Sequence, residues 1–486
     1  MDEISFGTDG WRATLDTFTA PRVRMVGQAV ATYLRDEGET APVAVGYDAR
    51  ETSRGFAEEL ARVLCANGFD VVLSERDCPT PVVAHAIVDR ELAGSLVVTA
   101  SHNPPEYNGV KFLPSDGAPA LPAVMDAIAD RLAEPAPLPE SAHGTVRRVD
   151  FRESHAVAAL NLLASIAPDA TDTIGTLTIA YDAMCGSGRG FTDALLERAG
   201  ASVERRRCER DPDFGGTPPE PAPGNLEELA RTVRAGDADL GIANDGDADR
   251  LAVVTPDRGL LDENLFFAAL YEWLLAHEGA TEASTPDGAG DDRQGHTNRG
   301  SGAAVRTVST TYLVDRVAAA HGESVHEVPV GFKWVAEAMA EHDALVGGEE
   351  SGGFTVRGHV REKDGVLVAL LAAAMHAEES FDDRIDRLLD THGTIVQDKR
   401  SVACPDPAKG RVLADLEAEI PDAVAGVAVD DVVTADGFKL LLADGSWLLV
   451  RPSGTEPVMR VYAEAADRER VDALLEAGTA LVERLV

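Results

Sequence analysis

The 486-residue sequence predicts an α/β protein: three related mixed-sheet α/β sandwich domains followed by a smaller α+β C-terminal domain around a central cleft. Two observations carry this. A self-comparison finds one plan in VAVGYDARETSRGFAEELARVLCANGFDVV (43–72) and LTIAYDAMCGSGRGFTDALLERAGASVE (177–204), with a fainter copy in AVRTVSTTYLVDRVAAAHGESVHEV (304–328). The last part of the chain, punctuated by Pro405, Pro407 and Pro421, departs from that plan. Residues 438–465 there read as strands with an Asp-Gly turn, then a final helix.

In the first copy an apolar strand ends in Tyr47-Asp48-Ala49, and Arg54-Gly55-Phe56 opens a helix. Phe56, Leu60, Val63 and Leu64 keep the 3.6-residue period, and Gly68 suits a left-handed cap. The second copy repeats Tyr181-Asp182-Ala183, then Arg189-Gly190-Phe191, then Gly200. Strand–helix–strand units of this length pair their strands in parallel, with active residues expected in loops at the carboxyl ends of strands. The expected domains are 1–148, 149–256, 257–393 and 394–486, with linkers at 136–144 and near Pro256. Residues 279–303 have almost no apolar side chains and are expected to form a flexible surface loop.

Eighty-three acids against 44 bases give a net charge of −39, which argues against a nucleic-acid partner. The acids are interleaved with periodic apolar residues, so they belong to a folded surface rather than a tail. Such a surface is at ease where salt screens repulsion within about 3 Å, as at molar salt. This resembles the proteins of halophiles. The longest apolar run, Val366–Met375, is too short to span a bilayer. No signal peptide is visible, and five cysteines form no CxxC pair, so a reduced cytoplasmic protein is expected.

Five motifs could carry chemistry. In VVTASHNPPEYNGVKF (97–112) a strand empties into Ser101, flanked by His102 and followed by Lys111. Either this is a turn rich in turn formers, or a nucleophile with a proton acceptor and a positive field beside it. In GIANDGDADRLAVV (241–254), Asp245, Asp247 and Asp249 alternate around a glycine between apolar strands. Three like charges packed so tightly cost energy unless a hard cation offsets them, which favours an Mg²⁺ site over an acidic hairpin turn. RPSGTEP (451–457) offers the Arg451 guanidinium, the Ser453 and Thr455 hydroxyls and the open backbone of Gly454, a set suited to a phosphate group or to a plain turn. GGEESGGF (347–354) places Glu349 and Ser351 where they could take sugar hydroxyls, and Arg12 of FGTDGWR could neutralise a phosphate or lie on the surface.

Serine loop, aspartate loop, GEESGG and RPSGTEP, in that order along the whole chain, resemble the α-D-phosphohexomutase family. The resemblance implies three related α/β domains and a fourth of different fold. It implies that Ser101 carries a phosphate, passed to the free hydroxyl of a hexose monophosphate to give a hexose 1,6-bisphosphate, which also primes the enzyme. The bisphosphate reorients and returns its other phosphate to Ser101. Asp245, Asp247 and Asp249, with the Ser101 phosphate, would hold Mg²⁺. Arg250, Arg12, His102 and Lys111 would line that site, with Lys111 preferred to His102 for proton handling. Glu349 and Ser351 would grip the sugar, and Arg451, Ser453, Gly454 and Thr455 the phosphate not being transferred.

GFKW (331–334), with Gly331 and Lys333, and REKDG (361–365), with Lys363, resemble the glucose-preferring branch, as does Glu-Glu-Ser. FGTDG resembles the glucosamine branch, so among the mutases the expectation is phosphoglucomutase first, phosphomannomutase second and phosphoglucosamine mutase third, with a dual mannose/glucose enzyme also open. Rivals from other classes are an Mg²⁺-dependent phosphatase, which needs no second phosphate clamp, and a non-catalytic scaffold, which would not need the serine and aspartates intact. The residues leave the oligomeric state open.

Overall fold

The structure, a computed structural model, describes residues 4–7, 10–283, 301–454 and 456–486. One four-strand arrangement recurs in its first three sheets. In the first, Val43–Tyr47 is flanked in parallel by Val71–Ser74 and Gly94–Val98, and Tyr107–Pro114 returns antiparallel beside Gly94–Val98. The second repeats this with Thr178–Asp182, Ser202–Arg206, Leu240–Asn244 and the returning Leu251–Thr255. The third does so with Ala304–Thr307, Val325–Val328, Val346–Gly348 and Phe354–Val356. The structural repeat is therefore longer than the one visible in the residues. Its second half, a third strand and an antiparallel partner, has diverged because each copy's turn carries different chemistry.

The first sheet gains Trp11–Thr14 at one edge, antiparallel to Tyr107–Pro114, and Val146–Val149 at the other, parallel to Val71–Ser74. The first helix of each copy stops at a glycine with positive φ: Gly68 (+93°), Gly200 (+111°) and Gly322 (+74°). Gly190, at φ +75°, departs from the expectation. A residue in that region cannot sit inside an α-helix, so Arg189-Gly190-Phe191 precedes the helix Thr192–Arg198 instead of opening it.

The apolar run at Val366–Met375 is explained by its place. Helix Gly365–Glu378 is buried along residues 365–375 on every side, as expected of a helix that is hydrophobic all round. It packs on the second sheet's strands Leu240–Asn244 and Leu251–Thr255 and on helices Ala170–Ile174 and Thr192–Arg198, although it follows the third sheet in sequence. One continuous apolar core thus joins the first three units.

The 279–303 segment is corrected in part: helix Glu263–Ala283 runs through its first residues, where alanine and glutamate favour helix despite low apolar content, and 284–300 lie outside the described residues. The fourth unit is a six-stranded antiparallel sheet. Helix Arg468–Leu485 packs on its strands Val396–Ala403, Trp447–Pro452 and Val458–Ala465. No helix among the described residues is long and apolar enough to cross a membrane.

Candidate active site

The turn between the third and fourth strands of each α/β unit carries one motif: Ser101 in the first, Asp245–Arg250 in the second, Glu349–Gly353 in the third. Each turn passes through left-handed backbone, at Ser101 (φ +50°), Ala248 (+54°) and Gly352 (+85°). Two of these are not glycine, an uncommon condition that concentrates at functional sites.

Ser101 is buried, and its Oγ donates to Asp245 Oδ2 at 2.7 Å, across two units. Its Oγ lies 3.4 Å from His102 Nδ1, and its N–H donates to Thr99 Oγ1 (2.8 Å). The residue that shapes this loop is Arg50, itself 1% exposed. Its guanidinium donates to four backbone carbonyls, those of Ser101 (2.9 Å), Asn103 (2.7 Å), Pro104 (2.6 Å) and Tyr107 (3.2 Å). Its Nε donates to Asp48 Oδ2 (3.0 Å), and that carboxylate also accepts from Ser53 Oγ (2.5 Å) and Thr99 Oγ1 (2.8 Å). Phe214 of the second unit stacks 4.9 Å from the guanidinium.

The three aspartates are all buried, with carboxylate oxygens converging within 4.8 Å of one another. Asp247 Oδ2 accepts from Thr80 Oγ1 (2.7 Å) and Lys111 Nζ (3.1 Å). Asp249 Oδ2 accepts from Lys111 Nζ (3.0 Å) and pairs with Lys363 Nζ (3.3 Å). Burial, then the charges of Asp249 and Asp247, push the Asp245 carboxyl well above its usual range. Burial acts the same way on Asp247 and Asp249. For Asp247 it is outweighed by Lys111, the Thr80 hydroxyl and Arg12, and for Asp249 by Lys111, Lys363 and Arg250, so both lie below that range. The Oδ1 atoms of Asp247 and Asp249 are buried and accept no hydrogen bond. An all-oxygen set with two such atoms fits a small hard cation.

Cations ring the triad. Arg12 Nη1 donates to Asn103 Oδ1 (3.3 Å), and the Arg250 N–H donates to Asp245 Oδ1 (3.2 Å). Burial, then Arg250 and Arg12, push His102 down to about 2, so it is a poor proton acceptor. Lys363 also lies 5.3 Å over the Phe332 ring, which brings GFKW and REKDG to the same place. A Cβ on Gly353 would stand 2.3 Å from Lys363 Cδ, so only glycine lets that lysine past the third turn. Glu349 Oε1 accepts the Gly331 N–H (3.0 Å), and burial pushes its carboxyl up to about 7 against the pull of Lys363 and Arg250. Ser351 is half-buried on the turn, and Lys333 Nζ lies 5.8 Å from the Trp334 ring.

The fourth unit joins through Asp436, whose Oδ2 accepts from Arg451 Nε (2.8 Å) and from the Val330 N–H (3.2 Å) beside Gly331. Ser453 donates from its backbone to the Val458 carbonyl (3.0 Å), and its own carbonyl accepts from Lys409 Nζ (2.6 Å). Gly454 is exposed, and Thr455 lies outside the described residues. Contacts therefore lead from Ser101 through Asp245 and from Asp249 to Lys363, and from Glu349 through Gly331 and its neighbour Val330 to Asp436 and Arg451, with the Lys363 charge acting on Glu349 between the two sets.

Sequence reasoning missed Arg50, Thr80, Asn244 and Asp436. Asn244 fixes the aspartate loop: its amide donates to the Arg250 carbonyl (2.8 Å) and the Gly365 carbonyl (3.2 Å), and its oxygen accepts from Tyr181 (2.9 Å) and Thr192 (2.8 Å). Arg50 had a signal, since Tyr-Asp-Ala-Arg ends a strand where active residues were expected. Thr80 and Asp436 had none.

A buried serine hydroxyl against three converging carboxylates, ringed by cations and supported by four domains, defines a multidomain phosphoryl-transfer enzyme. Models of the phosphoglucomutase/phosphomannomutase α/β/α domains I, II and III match residues 3–137, 159–259 and 289–392, and the model of that family's C-terminal domain matches 401–479. A relative from Methanothermobacter thermautotrophicus named probable phosphoglucosamine mutase is 31% identical over 99% of this chain and 98% of its own. A phosphoglucomutase from Komagataeibacter xylinus is 30% identical over 95% and 87%. The structure of a candidate phosphomannomutase from Thermus thermophilus superposes with a TM-score of 0.80 at 30% identity, covering 99% of each chain. The chain belongs to the phosphoglucomutase/phosphomannomutase family and is an isomerase of that type, a phosphohexomutase.

Proposed function

We propose that this enzyme interconverts α-D-glucose 1-phosphate and glucose 6-phosphate through a phosphoserine at Ser101 and a hexose 1,6-bisphosphate. The observation that carries the reading is the 2.7 Å contact of Ser101 Oγ with the aspartate triad. In the forward half the Ser101 Oγ–P bond breaks, a P–O bond forms to the free sugar hydroxyl, and that hydroxyl's proton ends on the released Ser101 Oγ. After the bisphosphate turns end over end, the other phosphoryl group returns to Ser101 and the product departs. Asp245, Asp247 and Asp249, with the Ser101 phosphate, would hold Mg²⁺, which supplies charge neutralisation during transfer. Lys111, donating to two carboxylates, would give a proton to the departing Ser101 Oγ and take one in return from the sugar hydroxyl, a relay for which His102 is too weak an acceptor. Glu349, poised near neutrality, can both donate to and accept from sugar hydroxyls.

Glucose preference rests on Glu-Glu-Ser and on GFKW and REKDG meeting at the triad. The FGTDG segment and the relative named for glucosamine favour phosphoglucosamine mutase as the second reading. The test is ³¹P NMR in concentrated KCl with Mg²⁺, α-glucose 1-phosphate and α-mannose 1-phosphate supplied together, and a trace of glucose 1,6-bisphosphate. Conversion of glucose well ahead of mannose supports the proposal. Equal rates mean a dual-specificity enzyme, and no change in either sugar, followed by turnover when glucosamine 1-phosphate is supplied in their place, means the second reading.

Two substitutions follow from the site. Lysine at position 50 cannot reproduce four carbonyl contacts and the Asp48 pair from one ammonium. In Arg50→Lys, kcat falls on the order of 10- to 100-fold through misplacement of the serine. KM for the sugar phosphate stays within about twofold, because the groups gripping the sugar are untouched. A KM that rises in step with the loss of kcat counts against that role. Arg451→Gln removes one charge-assisted phosphate contact and raises KM by about tenfold. Ser101 still takes up phosphate from the bisphosphate, and an unchanged KM contradicts the assignment.

The net charge of −39 supports a protein of the haloarchaeal type, and five cysteines without a CxxC pair support a reduced cytoplasmic one. Its unfolding temperature is expected to climb between about 0.2 M and about 3 M KCl as repulsion is screened. A salt-independent melting curve would remove this inference.

A further inference from the structure

Next to Lys363, three imidazoles from three parts of the chain surround one carboxylate. His85 comes from helix Thr80–Asp89 of the first unit, His155 from helix Arg152–Ile166, and His359 and Asp364 flank Val-Arg-Glu-Lys. Ring centroids stand 5.5 Å apart for His85–His155 and for His85–His359, and 5.2 Å apart for His155–His359. Asp364 Oδ2 contacts His155 Nε2 (2.6 Å) and His359 Nε2 (2.8 Å), while its Oδ1 caps helix Gly365–Glu378 by accepting from the N–H groups of Val366 (3.0 Å) and Leu367 (2.8 Å).

These bonds account for two of the rings and leave the third unexplained. His85 Nδ1 is buried with no hydrogen-bond partner. His85 and His359 also line a cavity of about 640 Å³ with Asp116, Arg361 and Ser115, which gives the cluster a route to solvent.

We propose that His155, His359 and Asp364, whose ligand atoms lie within 4.8 Å of one another, form a second cation site where the first three units meet, for a divalent transition metal of the Zn²⁺ class, with the neighbouring His85 ring turning in as the fourth ligand. Its chemistry is opposite to that of the aspartate triad: imidazole-rich sites select Zn²⁺, Co²⁺ or Ni²⁺, whereas all-oxygen sites select Mg²⁺. A cation would take the place of the two shared Nε2 protons. The 2.6 and 2.8 Å contacts would then open to roughly 3.3 Å, the edge of a tetrahedron with metal–ligand bonds near 2.0–2.1 Å. Bound there, it would tie three segments together and fix Asp364, whose chain neighbour Lys363 contacts Asp249.

The test uses the full chain, stripped by a chelator and then held in excess Mg²⁺ to occupy oxygen sites, with Co²⁺ as the added probe. The expected result is one equivalent bound with visible absorption and three exchangeable, hyperfine-shifted imidazole N–H proton signals. Both persist in the double variant Asp245→Asn, Asp247→Asn. His85→Gln, which leaves the His155–Asp364–His359 bonds in place, weakens Co²⁺ binding at least about tenfold. Absence of saturable absorption in the unaltered protein overturns the proposal. So does loss of the signal in the aspartate variant, or unchanged affinity in His85→Gln. The count of imidazole signals in the unaltered protein decides the matter even if a variant misfolds, and none of these readouts depends on which sugar the enzyme takes.

Discussion

Ser101→Ala is expected to lose turnover by at least about 10⁴-fold, the loss typical of removing a nucleophile whose neighbours act with it as a unit. The fold has little reason to suffer. Alanine keeps the Cβ that already tolerates φ +50°, and the backbone bonds to Thr99 and Arg50 do not involve Oγ. Asp245 loses one donor but keeps the Arg250 N–H. A coupled assay for glucose 6-phosphate reads activity, and the intact mass after exposure to glucose 1,6-bisphosphate reads phosphoryl uptake. Both signals are expected to vanish in the variant while sugar-phosphate affinity survives. Residual activity above about 1% of the parent would mean that another group accepts the phosphoryl.

Asp249 is the second large effect, because two buried ammonium groups rest on one of its oxygens. Asp249→Ala strips Lys363 of one carboxylate partner, leaving Glu362, and Lys111 of one of its two, in a buried site, which costs about 3 kcal/mol. Asp249→Asn keeps shape and an acceptor, so its loss of stability is smaller. Its loss of turnover is still expected at about 10³-fold, as several kcal/mol of cation-based charge stabilisation disappears. The two variants separate stability from chemistry: thermal unfolding ranks alanine well below asparagine, while kcat is low in both. An Asp249→Asn enzyme with the parent's Mg²⁺ half-saturation would show that Asp249 holds no metal.

What the sequence made legible was whatever is local in the chain. Asp245, Asp247 and Asp249 sit within five residues, and Ser101 follows directly on an apolar strand, so their chemistry is written in one stretch. The Tyr-Asp-Ala strands announced the repeat for the same reason. Arg50 grips carbonyls at 101–107, Thr80 reaches Asp247, and Asp436 binds both Arg451 and Val330. Each of these pairings spans distant parts of the chain or separate units, or contacts backbone, which carries no side-chain signature. Strands were read beside Ser101 and on both sides of the aspartates, but not as members of the repeat, because their shared feature is direction and pairing rather than residue identity.

Helix Gly365–Glu378 covers the second sheet from a position more than a hundred residues beyond that sheet's last main strand, Leu251–Thr255. On the ribosome, the second unit therefore cannot close its apolar face when its own strands emerge. It waits until nearly four-fifths of the chain has been made, with Leu251 and Val253 still lacking their final neighbours. The middle of this protein is completed late, by a segment that arrives together with Lys363 and Asp364, so a nascent chain gains its sealed core and the second buried lysine beside the aspartates in the same event.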